Sequence, residues 1–181
     1  MRLFAGLDLP EDCVRAIDTL QSKLRPRAQI SWSPASNLHI TTKFIGEWPE
    51  ERLEELKLAL DGVHGSGPIS FSPKGLGWFP NPHSPRIFWV AIQPAAPLAA
   101  LATATEEALA PLGVQRERRP YTPHLTLARI EPGSDIAPLR RAVAQLPPVD
   151  TGELETTHFH LYESRPTASG TVYSKLHSVK L

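Results

Sequence analysis

A single cysteine, Cys13, stands in the whole chain of 181 residues. No intramolecular disulfide can staple the fold, and no cysteine cluster can hold a metal. No His-Glu-x-x-His pattern is present either, which removes the commonest helical zinc signature. Long apolar runs are missing: nothing approaches the ~20 consecutive apolar residues of a membrane span. The start, Met1-Arg2-Leu3-Phe4-Ala5-Gly6-Leu7-Asp8, turns acidic too soon for a secretory signal. Together these absences lead us to expect a cytoplasmic protein with no membrane partner. Net charge is also absent, with 19 basic residues against 19 acidic ones. Any contact with nucleic acid must therefore come from a local patch, and a protein that is basic as a whole is excluded.

What is present describes an ordinary globular chain, 41% apolar and 21% charged, long enough for one sizeable core. One domain over residues 1–181 and a monomeric state are expected. The 19 prolines are about twice the average share and fall mostly between periodic segments, where they stiffen loops. After a first strand, Pro10-Glu11-Asp12 opens a helix with Val14, Ile17, Leu20 and Leu24 at helical spacing, stopped by Pro26. Pro49-Glu50-Glu51 opens a second, with Leu53, Leu56, Leu60 and Val63 on one face. A third runs from about Pro97 to Leu112 and ends at Gly113, and Ser134-Asp135 begins a fourth. Strands are expected over Leu38–Ile45, from Ile69, over Arg86–Ile92 and His124–Ile130, and in two final segments around 154–162 and 172–179.

One pattern occurs twice: His39-Ile40-Thr41-Thr42 and His124-Leu125-Thr126-Leu127, 85 residues apart. In a strand, residues i and i+2 share a face, so each copy sets an imidazole beside a hydroxyl. Ile40 and Phe44, and Leu125 and Leu127, then point the other way, into a core. The following helix starts ten residues after the motif histidine in both copies, and Phe88 and Tyr173 each lie 49 residues after theirs. The order thus reads as an internal repeat of helix, motif strand, helix, strand, strand, with the first strand of the chain left over. An α+β fold follows, in which two similar lobes of antiparallel strands carry outer helices and face a shared groove about a pseudo-two-fold axis.

Two imidazoles facing one another suit a displacement at phosphorus. Their ordinary pKa of ~6.5 lets one take a proton from the nucleophile while the other gives one to the leaving oxygen. The threonine hydroxyls are neutral donors suited to the non-bridging oxygens. His39, Thr41, His124 and Thr126 are therefore the candidate catalytic set, with no metal or cofactor required.

The segments His39-Ile40-Thr41-Thr42-Lys43-Phe44-Ile45-Gly46 and Pro123-His124-Leu125-Thr126-Leu127-Ala128-Arg129, with Gly77-Trp78-Phe79-Pro80 and Arg86-Ile87-Phe88-Trp89 between them, resemble the two-histidine (2H) phosphoesterases. Among these they are most similar to the RNA 2',3'-cyclic phosphodiesterases, also called 2'-5' RNA ligases or LigT-like proteins. Thr42 stands where that family usually has an aliphatic residue. The resemblance implies hydrolysis of an RNA 2',3'-cyclic phosphate end to a 2'-phosphomonoester, with reversible 2'-5' ligation as a minor activity. It implies His39 as general acid and His124 as general base. Two other readings stand beside it: a 2H esterase for a small cyclic nucleotide or ADP-ribose derivative, and a non-catalytic RNA-binding module using the same groove.

Further residues carry weaker signals. Lys43 shares strand parity with His39 and Thr41, which makes it a candidate phosphate ligand. Arg129 is a second, although strict alternation from His124 puts it on the wrong face unless a bulge intervenes. Arg116, Arg118 and Arg119 are suited to steering an RNA backbone, and Trp78, Phe79 and Trp89 either stack a base or pack in the core. His158 and His160 share a strand face, read as a surface face without a third metal ligand. His64, His83 and His177 carry no assignment.

Overall fold

In the computed structural model, residues 1–63, 65 and 67–181 are described, and His64 lies outside them. Among the described residues, nine strands and four α-helices follow one another as β1 (Arg2–Leu7), α1 (Glu11–Leu24), β2 (Ser31–Trp32), β3 (Ile40–Glu47), α2 (Leu53–Asp61), β4 (Ile69–Phe79), β5 (Ile87–Gln93), α3 (Ala96–Leu109), β6 (His124–Arg129), α4 (Ala137–Ala144), β7 (Leu154–Thr156), β8 (His158–Thr167) and β9 (Gly170–Lys180). Local chemistry sets the boundaries. Glu11 and Asp12 occupy the first turn of α1, where carboxylates complement the helix dipole. Asp135 accepts a 3.0 Å bond from the Ala137 amide at the start of α4. A 3₁₀ turn prolongs α3 to Leu112, and Gly113 ends it in the left-handed conformation at φ 94°.

The strands form one antiparallel sheet in the order β7-β4-β5-β6-β3-β1-β8-β9, with β2 paired to β6. Read outward from its centre, the sequence β6-β5-β4-β7 mirrors β3-β1-β8-β9. The α+β, two-lobed architecture is therefore as the sequence indicated, but the repeat is phased one strand earlier. β1-α1-β3-α2-β4 corresponds to β5-α3-β6-α4-β8, and α1 and α3 coincide end to end at the 85-residue offset. The first strand is not left over; β9 and the two-residue β2 are, and β7 falls at the offset of the first residues of β4. The last strand of each repeat is exchanged: β4 pairs with β5 and β8 with β1. Each lobe is thus completed by the other repeat's strand.

Apolar residues of α1–α4 close one face of the sheet, around Leu7, Ile17, Leu56, Phe88, Leu98, Leu125, Leu127 and Leu139. Burying those faces is the main favourable term for these helices, which are too short to be stable alone. No helix among the described residues is long and apolar enough to cross a membrane.

Candidate active site

Between the lobes, β3 and β6 meet through the single registered pair Ile40 and Leu125. Extending that antiparallel register by one residue each way sets His39 opposite Thr126, and Thr41 opposite His124. Ile40 and Leu125 are fully buried in the core, so the residues on either side of each face the groove. The four motif residues come together at the seam of the two lobes.

The two histidines are held alike. His39 Nδ1 lies 2.7 Å from the Asn37 carbonyl and His124 Nδ1 2.7 Å from the Thr122 carbonyl, in both cases the residue two positions back. A carbonyl accepts only, so each Nδ1 carries the proton and each Nε2 is left to work in the groove. In His39, Nε2 accepts from the Thr41 hydroxyl at 2.9 Å. Burial pushes both imidazoles below their ordinary value; the Asn37 and Thr122 carbonyls oppose this, while the Arg129 charge reinforces it. His39 also senses His124, so protonation of one disfavours protonation of the other. Aromatic rings brace both: Phe4 and Tyr173 lie 4.7 and 5.0 Å from His39, and Phe79 lies 5.0 Å from His124. Trp89 stacks on Phe79 at 4.7 Å, a placement that requires glycine beneath it, because a Cβ on Gly77 would lie 2.2 Å from the indole.

Strand irregularities decide which neighbours join the site. Ala5 pairs with Lys43 but Gly6 with Thr41, leaving Thr42 as an extra residue in β3. Phe88 pairs with Ala128 but Trp89 with Thr126, leaving Leu127 extra in β6. The two bulges occupy equivalent positions in the repeat, and each reverses the alternation beyond it. Arg129 is thereby brought to the histidine face, exposed, with its charge acting on both imidazoles.

The same device overturns the Lys43 assignment. Its ammonium passes to the helix side of the sheet, where its side chain is 1% exposed, and donates to Glu106 at 2.7 Å and to the Gln115 carbonyl at 2.6 Å. It is a buried clamp away from the groove, and its hydrogen bond holds the Glu106 carboxyl below the usual range. Phe44, expected in the core, is instead 59% exposed and 6.4 Å from the Phe4 ring, so it stands on the histidine face at the position equivalent to Arg129.

The remaining candidates divide. Trp78 packs against Phe88 on the core side, with Arg140 over its ring, whereas Phe79 and Trp89 border His124. His160 is not on a surface face: it is 8% exposed, within 2.9 Å of Ser178 Oγ and close to Asp8 and Lys175. Among the described residues no third metal-ligating group joins it and His158. His83 is exposed, and His177 pairs with Asp61 at 2.6 Å. Sequence reading missed Tyr121, whose hydroxyl donates to the Thr41 carbonyl at 2.9 Å and ties the segment before the second motif to the first motif. It also missed Asp8, which follows β1 near His39 and accepts from Tyr162 and Lys175.

Known proteins are similar to this chain in fold and in sequence. The family described as LigT like phosphoesterase matches residues 7–89 and again 90–173, a double match whose boundary falls within β5, the first strand of the second structural repeat. A Methanocaldococcus jannaschii protein named RNA 2',3'-cyclic phosphodiesterase is 35% identical over 173 residues, covering 96% of both chains. The crystal structure of E. coli LigT complexed with 3'-AMP superposes with a TM-score of 0.80 at 28% identity, covering 99% of this chain and 97% of that one. A crystal structure from Thermus thermophilus gives 0.82 at 30% identity, covering 100% and 98%.

Proposed function

Because the chain belongs to the LigT like phosphoesterase family, we propose that it hydrolyses RNA 2',3'-cyclic phosphate ends to 2'-phosphomonoesters through its two motif histidines. The observation that carries this reading is the matched pair of Nδ1–carbonyl bonds. They fix both imidazoles in one tautomer and direct both Nε2 atoms into one groove, that of His39 beside the Thr41 hydroxyl. A module that only binds RNA has no need of such pairing.

In the reaction, His124 Nε2 takes a proton from water as its oxygen attacks phosphorus. The bond to the 3'-oxygen breaks in line, and His39 Nε2 delivers its proton to that oxygen. Thr41, Thr126 and Arg129 hold the non-bridging oxygens, where negative charge accumulates. Exchange with solvent then restores both protonation states. If a 5'-hydroxyl replaces water, the same displacement forms a 2'-5' linkage, which is the proposed route to ligation.

Breaks in the pseudo-symmetry support the polarity. Asp8 stands near His39 where the other repeat has neutral Gln93, and its carboxylate favours a protonated His39. Arg129, where the other repeat has Phe44, disfavours protonation of both imidazoles, so the difference that favours a protonated His39 is the Asp8 carboxylate.

A short oligoribonucleotide ending in a 2',3'-cyclic phosphate tests the reading, assayed beside a small cyclic nucleotide with chelator present. Turnover of the RNA end that survives chelation is expected. Absence of turnover, or loss that added metal restores, would overturn it.

The pH dependence follows from the displaced imidazoles. The kcat/KM profile reports the free protein, in which one histidine must be neutral and the other protonated, so it is bell-shaped and belongs to the coupled pair. Both groups lie below the ordinary 6.5. The maximum of kcat/KM is therefore expected on the acid side of that value, with the kcat maximum moved to higher pH because bound phosphate favours the protonated form. A kcat/KM maximum on the alkaline side would contradict the assignment.

A further inference from the structure

We propose, resting on that functional reading, that the segment 114–123 is the docking surface for the RNA backbone, with Arg118 and Arg119 as its phosphate ligands, so that the polynucleotide lies over one mouth of the groove and not the other.

The argument comes from comparing the two segments that lead into the motifs. Residues 29–38 and 114–123 occupy equivalent places in the repeat, and each ends by supplying the carbonyl that orients its histidine. Their chemistry differs. Gln29-Ile30-Ser31-Trp32-Ser33-Pro34-Ala35-Ser36-Asn37-Leu38 contains no charged residue, whereas Val114-Gln115-Arg116-Glu117-Arg118-Arg119-Pro120-Tyr121-Thr122-Pro123 carries three arginines and one glutamate. Their anchoring differs too. The first forms β2 against β6, and its Asn37 side chain donates to the Thr171 carbonyl of β9 at 2.7 Å. The backbone there is committed to the protein.

The second makes no strand. It is held by Lys43 and Glu106 at Gln115 and Glu117, by Tyr121 on the Thr41 carbonyl, and at its end by the Ile92 amide donating to the Pro123 carbonyl at 3.2 Å. Between these anchors Arg118 and Arg119 are exposed, and neither has an acidic partner among the described residues. Arg116 differs in facing Glu106 at 3.9 Å. Arg119 lies five positions before His124, at most about 18 Å of chain, so its guanidinium serves phosphates close to the reacting end. In a chain with no net charge, these two cations on an anchored segment beside the groove are a local source of affinity for a polyanion. The buried Lys43 clamp thereby has a role at a distance: it fixes the basic segment without touching substrate.

The test compares the wild-type chain with R118A/R119A in binding a single-stranded decaribonucleotide ending in a 2'-phosphate, followed by fluorescence anisotropy between 50 and 200 mM salt, with 2'-AMP measured alongside. The double variant is expected to bind the oligomer about 10-fold more weakly near 0.1 M salt, with a log–log salt slope smaller by about 1.4, from ~0.7 per phosphate contact on a single strand. Its affinity for 2'-AMP is expected to stay within about 2-fold. Unchanged oligomer affinity and slope would overturn the proposal, as would an equal loss for 2'-AMP, because the substitutions would then act at the reacting end. Binding is read on the product without turnover, so failure of the catalytic reading registers separately, as the same oligomer with a 2',3'-cyclic phosphate end that binds with the expected slope and is not opened.

Discussion

Alanine at His39 or at His124 is expected to lower kcat on a cyclic-phosphate RNA end by about 10²–10⁴ while leaving the fold in place. Each imidazole has one proton to move, and its partner cannot replace it because the two lie on opposite lobes with their tautomers fixed by Asn37 and Thr122. Removing both should cost little more than removing one, since base and acid act as a unit. The stability change should be small, because both rings stand at the groove face and are only partly buried. Steady-state kinetics with thermal melts decides the matter. A single variant within about 10-fold of wild type would show that its histidine moves no proton in the limiting step.

Methionine at Lys43 is expected to do the reverse, costing stability and sparing chemistry. The ammonium is 1% exposed and its partner Glu106 19% exposed, and removing one member of a buried pair costs about 3–5 kcal/mol. The lower end applies because Glu106 keeps the Glu117 amide at 2.7 Å. About 3 kcal/mol corresponds to a fall in Tm of roughly 6–12 °C for a chain of this size. Measured well below the melt, kcat should stay within a few-fold. Unchanged Tm with kcat reduced about 100-fold would instead make Lys43 a transition-state ligand.

That contrast also shows what the sequence could carry. The repeated His-x-Thr, the 85-residue offset and the helix starts are local patterns, and they are enough for the α+β class, the two lobes and the four motif residues meeting at one seam. Strand alternation failed at Thr42 and Leu127, because a bulge adds one residue to one strand and leaves no mark in the residue types around it. One such error moved Phe44 and Lys43 to each other's faces, whereas for Arg129 a bulge is the condition that strand alternation itself sets for reaching the groove, and it is present. The exchange of β4 and β8 between lobes was equally hidden: pairing partners depend on how the repeats close on each other, and the two candidate neighbours of each strand are alike in pattern. Tyr121 and Asp8 carry no motif at all. Their proximity to Thr41 and His39 comes from segments that only the folded sheet brings together.

The central claim, two fixed histidines acting on one phosphorus from opposite sides, is tested most directly by separating the products formed from a 2',3'-cyclic RNA end. In-line attack with a single placed acid expels only one of the two ribose oxygens. The account requires a single 2'-phosphate product and no inorganic phosphate, whereas a mixture of 2'- and 3'-phosphates would contradict it.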